Sequence, residues 1–99
     1  MAYRIEYSPD AVDQLRAFSA RDRRVVVSGV SEQLKFQPST PTRNRKRLRP
    51  NDLAAWELRL GRLWVYYNVE DVAEPRVDVL MVGVKDRSIV RIGGEEISL

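Results

Sequence analysis

Ala54-Ala-Trp-Glu-Leu-Arg-Leu-Gly-Arg-Leu-Trp-Val-Tyr-Tyr-Asn68 is the stretch that decides the fold. Apolar residues alternate on both sides of Gly61-Arg62, the period of two half-buried strands. Glycine in the first position of a two-residue loop suits a type II′ turn, whose twist matches that of the strands it joins. The turn sets Leu60 opposite Leu63, Leu58 opposite Val65 and Trp56 opposite Tyr67 on one face. On the other face it sets Arg59 opposite Trp64 and Glu57 opposite Tyr66. A slip of one residue would mix the two sets, whereas a slip of two would preserve both faces. One face is therefore apolar, with Trp56 and Tyr67 in the core, and the other carries the chemistry.

Directly upstream, Arg43, Arg45, Lys46, Arg47 and Arg49 fall within seven residues, before a turn at Pro50-Asn51-Asp52. The whole chain has net charge +3, from 17 Lys and Arg against 14 Asp and Glu; without these five the remaining 12 cations against 14 acids leave −2. The basicity is thus one local patch, which favours a localised polyanion partner over general stickiness. A short basic run taken alone is equally compatible with a solvated loop. Its place beside a polar, aromatic-bearing strand face is what favours function.

With 99 residues the chain makes one domain over positions 1–99. It has no cysteine and no histidine, which argues against a disulfide frame, a zinc enzyme and a Ser-His-Asp hydrolase. No metal or cofactor is implied. No apolar run approaches the ~20 residues that span a bilayer, and Met-Ala-Tyr-Arg-Ile-Glu at the N-terminus lacks a signal-peptide apolar region. The expectation is a cytoplasmic protein with no membrane partner.

Along the rest of the chain, Tyr3, Ile5 and Tyr7 alternate with Arg4 and Glu6 as in a strand. Ser8-Pro9-Asp10 then supplies an N-cap oxygen, a proline for the first helical position and an acid for the first turn of a helix carrying Ala11, Val12, Leu15 and Phe18. Ser19 caps a second helix with a stripe of Val26, Val27, Val30 and Leu34, and Arg21, Arg23 and Arg24 form its solvated face. Pro38 to Thr42 reads as an extended connection. Glu70 to Pro75 is a polar loop, and Val77 to Val84 is apolar enough for a central strand covered on both sides. That strand leaves Lys85 and Arg87 at its C-terminal edge before Ser88. Ile89 to Ile92, Gly93-Gly94 and Glu95 to Leu99 outline a second short hairpin. The fold class is α+β: an N-terminal strand, a helical hairpin covering one face, then a three-stranded antiparallel meander completing a small sheet.

This order, with Arg43 to Pro50, the Trp56 to Tyr67 hairpin and Val82-Gly-Val-Lys-Asp-Arg87, resembles the RelE/ParE toxin superfamily of bacterial toxin–antitoxin systems. The resemblance covers most of the chain and implies a small toxin neutralised by a partner antitoxin. In the RelE branch the toxin enters the ribosome and cuts mRNA without a metal; in the ParE branch it poisons DNA gyrase. By position, Glu57 and Arg59 occupy second-strand active-site positions and Trp64 a third-strand position usually held by arginine, with Arg62 as a substitute on the same face. Lys85 falls at the fourth-strand site and Arg91 where a tyrosine is usual. Glu57 for a cation, Trp64 for arginine and Arg91 for tyrosine are departures from that pattern.

Metal-free RNA cleavage needs a group to take the 2′-OH proton and cations to hold charge on the phosphorus. Arg59 and Lys85 suit the second task, whereas arginine is a poor base. Glu57, the one carboxylate on the polar hairpin face, is the candidate base; a structural ion pair with Arg59 is the competing reading. The candidate catalytic set is therefore Glu57, Arg59, Lys85 and Arg91. The candidate RNA-binding set is Arg43, Arg45, Lys46, Arg47, Arg49, Arg62, Trp64, Tyr66 and Arg87, with the two aromatics either stacking bases or buried by an antitoxin. The first functional reading is a ribosome-dependent mRNA endoribonuclease. The alternatives are a non-enzymatic gyrase inhibitor and a basic RNA-binding module without catalysis.

Overall fold

In a computed structural model that describes residues 2–87 and 89–97, the N-terminal alternation forms β1 (Arg4–Tyr7). The parts of the expectations above that fall on Met1, Ser88, Ser98 and Leu99 lie outside the described residues. Helix α1 (Pro9–Arg16) starts where the capping signal places it: the Ser8 hydroxyl accepts from the Ala11 amide at 3.0 Å, and proline occupies the first turn. Helix α2 (Ala20–Leu34) follows after three residues, capped by Ser19, whose hydroxyl accepts from the Asp22 amide. Val26, Val30 and Leu34 are fully buried, whereas Val27 lies on the solvent side. The expected stripe thus narrows to the i, i+4, i+8 line. Arg23, expected in the solvated face, donates to the carbonyls of Leu15 and Phe18, closing the end of α1.

Three residues of the basic run form a strand, β2 (Arg45–Arg47), where no strand was expected. The hairpin follows as β3 (Trp56–Leu60) and β4 (Leu63–Glu70). All five expected pairs are present, from Trp56 opposite Tyr67 to Leu60 opposite Leu63. Gly61 has φ of +66° and Arg62 stays out of the positive region, as a II′ turn requires and a I′ turn forbids. The central strand β5 (Arg76–Asp86) is longer than expected, and the tail forms the hairpin of β6 (Ile89–Ile92) and β7 (Glu95–Ile97) through two glycines with positive φ.

The seven strands make one sheet in the order β2-β3-β4-β5-β6-β7, with β1 pairing β5 in parallel. The expected three-stranded antiparallel meander is β3-β4-β5, and the parallel pairing of β1 makes the whole sheet mixed. Both β1 and β6 use the same central strand, β1 along Arg76 to Val79 and β6 along Val84 to Asp86. An irregularity between Tyr66 and Tyr67 leaves Leu80 unpaired with β4.

The helices cover one face. Ala11, Leu15, Val26, Val30 and Leu34 pack there against Trp56, Leu58, Leu63, Val65, Tyr67 and the valines of β5. Gly29 of α2 allows close docking, since a Cβ there would lie 2.7 Å from both Leu60 methyls. On the opposite face Ala54, Trp64, Tyr66, Val90 and Ile92 form a second, smaller cluster with Leu48, Leu80 and Met81.

Gly83 makes that second cluster possible. It lies opposite Trp64, and a Cβ built on it would meet the Arg91 carbonyl oxygen at 2.6 Å and Ile92 Cγ1 at 2.7 Å. The end of β6 therefore crosses close over β5 on the Trp64 side. Gly83→Ala should force β6 away at a cost of about 1–3 kcal/mol, the usual range for overpacking. Thermal melting should fall accordingly, and Trp64 emission should shift to the red as its cover lifts.

Candidate functional site

The face opposite the helices is built in rows, because directly opposed residues of antiparallel strands share a face. One row runs Lys46, Glu57, Tyr66, Met81 across four strands, and the next runs Arg59, Trp64, Gly83. Lys85, two residues beyond Gly83 on β5, joins the same face. The Trp64 ring is the centre of the group: the Arg59 guanidinium carbon lies 4.5 Å from its centroid and the Lys85 ammonium 4.8 Å. Each contact offers about 0.5–2 kcal/mol. The indole thus gathers two cations, one from each strand flanking β4.

Glu57 is the buried carboxylate of this cluster, with its side chain 4% exposed, and its Oε1 accepts from Arg59 Nη2 at 2.9 Å and Nε at 3.2 Å. Arg59 remains 40% exposed, so the pair has a dry end and a wet end. Burial, followed by the Glu57 charge, pushes the Tyr66 phenol well above its ordinary value, with Arg59 opposing. Tyr66 therefore stays a neutral phenol at neutral pH, able to donate and accept hydrogen bonds but not to serve as a phenolate. The cluster combines one carboxylate, a neutral phenol and cations at a partly wet edge. That set can hold a phosphate and stabilise added negative charge on it.

The remaining candidates are distributed differently from their sequence reading. Arg62 turns to the helical side and pairs with Asp22 at 2.6 Å, so it does not substitute at the Trp64 position. Arg91 lies opposite Val84 on β5 and 3.5 Å from Glu96, on the other side of β6 from Val90 and Ile92. The structure does not bring it to Arg59 and Lys85. Trp64 and Tyr66 are buried by the chain's own side chains, at 8% and 2% exposure, so neither presents an open stacking platform. Arg87 is exposed with φ of +59°, just past the end of β5.

Strand alternation also splits the basic run. Arg45 Nη1 donates to the carbonyls of Gln33 at 2.6 Å and Gln37 at 3.1 Å, closing the C-terminal end of α2, while its Nε is buried without a partner. Arg47 lies 5.6 Å from the Trp56 ring. Only Lys46 of the three strand residues shares the face of Glu57. Arg43 and Arg49 flank the strand and are exposed. The signal for β2 was present in the Arg45/Arg47 and Lys46/Leu48 alternation, masked because an edge strand rich in charge looks like a loop.

No family model matches the sequence, and comparison with curated proteins gives no match. Solved structures do match in three dimensions. A chain of the toxin–antitoxin complex RelBE2 from Mycobacterium tuberculosis is 22% identical with a TM-score of 0.70, covering 86% of this chain and 100% of that one. A chain of the archaeal RelE-RelB complex from Pyrococcus horikoshii is 19% identical with a TM-score of 0.68, covering 88% and 99% respectively. The chain shares their α+β fold, two helices on a mostly antiparallel sheet.

Arg45 is the member of the basic run whose hydrogen bonds are structural. Arg45→Ala should destabilise the fold by about 1.5–3 kcal/mol, the range for hydrogen bonds from a charged group. Arg43→Ala, at an exposed position, should leave the melting temperature nearly unchanged. Parallel thermal melts of the two variants check this.

Proposed function

We propose that this protein is the toxin of a toxin–antitoxin pair and acts as a ribosome-dependent, metal-independent mRNA endoribonuclease in the cytoplasm. The observation that carries the reading is the meeting of Arg59 and Lys85 at Trp64 beside Glu57. These residues lie on β3, β4 and β5, at the positions that the RelE resemblance assigns to the active site. The fold shared with chains of two toxin–antitoxin complexes supports the same class and a protein antitoxin as partner.

In this mechanism the substrate 2′-oxygen attacks the adjacent phosphorus and the bond to the 5′-oxygen breaks. Glu57 takes the 2′-OH proton, and water protonates the departing 5′-oxygen. Arg59 and Lys85 hold the charge that grows on the non-bridging oxygens, an interaction strongest in the transition state. Trp64 positions both cations, so the aromatic at a position usually held by arginine gathers charge from its neighbours.

A second reading draws on one specific observation. Glu57 is almost fully buried and already shares Oε1 with Arg59, which favours a structural ion pair and a toxin that binds without cutting. Arg59→Ala separates the two. For the enzyme, ribosome binding should persist while cleavage falls by about a hundredfold or more, roughly 2.7 kcal/mol of transition-state stabilisation. For the binder, the parent protein should leave mRNA on ribosomes intact. A change in DNA supercoiling ahead of any block in translation would instead point to gyrase. The checks are primer extension on programmed ribosomes and a supercoiling assay on one preparation.

A further inference from the structure

We infer that Lys46 is a phosphate-binding residue of this site for single-stranded RNA, supplied by the edge strand β2 in place of the cation that Glu57 displaces. The inference rests on the RNA-directed reading above and deepens it. Its basis is the pairing of β2 with β3. Lys46 stands directly opposite Glu57, so its side chain leaves the sheet on the face that holds Arg59, Trp64 and Lys85. A lysine stem is long enough to cross one strand spacing of about 4.8 Å, so the ammonium is within reach of the Glu57–Arg59 edge.

The charge balance of the site favours a further cation. Glu57 and Arg59 form a close pair and cancel, so the net positive charge available to a phosphate comes from Lys85 and Lys46. With Lys46 the four groups carry three positive charges against one negative, a net of +2; without it the net is +1. Lys85 already contacts Trp64, whereas Lys46 is exposed and forms no ion pair among the described residues. Its neighbours cannot take the same role: Arg45 is committed to the end of α2 and Arg47 stands over Trp56. The basic run therefore contributes through one strand residue aimed at the site, rather than through its summed charge.

The test uses the full chain and a 12-nucleotide oligouridylate, with affinity measured across a salt series, alongside cleavage on programmed ribosomes. Losing one phosphate contact should reduce the log-log salt slope by about 0.7 and weaken binding about fivefold at 0.1 M salt. Lys46→Ala should show both changes with an unaltered melting temperature, Lys46→Arg should restore most of the affinity, and Arg16→Ala on the far side of α1 should behave as the parent. If Lys46→Ala matches the parent in slope and affinity, or if the parent does not bind the oligonucleotide, the inference is overturned. A parent that binds with the Lys46-dependent slope but never cuts mRNA leaves Lys46 standing and removes the endoribonuclease reading. A parent that cuts while Lys46→Ala binds and cuts equally well does the reverse.

Discussion

The register of one hairpin governs both faces of this protein. Gly61 takes a positive φ that costs an L side chain energy, and the two-residue turn it permits locks Trp56 opposite Tyr67 and Arg59 opposite Trp64. Shifted by one residue, the same strands would point Glu57 and Arg59 into the helical core and Trp56 and Leu58 outward. An uncompensated charge and lost apolar burial would oppose that alternative together. The helices then only need to cover a face that the hairpin has already made apolar, and Gly29 lets α2 come close enough to Leu60 to do so.

The other face follows a different principle. It is largely dry, because the C-terminal hairpin crosses over Gly83 and lays Val90 and Ile92 beside Trp64 and Tyr66. Burial changes what each polar group can do. Glu57 can remain there because Arg59 is hydrogen-bonded to it, while the other end of Arg59 reaches water. Trp64 contributes as a platform for cations from its own molecule rather than as an exposed surface for a base. The cluster is small, and its electrostatic sign depends on one or two groups at its edge.

The basic run shows how strand geometry separates residues that composition groups together. Arg45, Lys46 and Arg47 are adjacent and alike in charge, yet one closes a helix, one faces the site and one lies over a core tryptophan. Alternation along β2 sets Lys46 apart, and Arg45 and Arg47, on the shared helical face, differ in the partner that lies beside each. The summed charge of such a run is therefore a poor guide to how many of its members can meet one ligand.

What the sequence determined by itself was the local order. The caps at Ser8 and Ser19, the Gly61 turn, all five hairpin pairs and the core placement of Trp56 and Tyr67 were legible, because capping, turn chemistry and period two act within a few residues. Glu57 and Arg59 were legible as neighbours on one face for the same reason, whereas Lys85 was put beside them only by the RelE/ParE resemblance, because the pairing of its strand with the hairpin was not legible. Tertiary structure decided the rest. The parallel docking of β1 and the turning of Arg62 to Asp22 depend on partners many residues away, and the strand character of β2, the crossing of β6 over Gly83 and the pairing of Arg91 with Glu96 depend on which strand lies alongside. Such contacts leave little trace in local periodicity, because an edge strand is defined by the neighbour it pairs with and a charged side chain by the partner that reaches it.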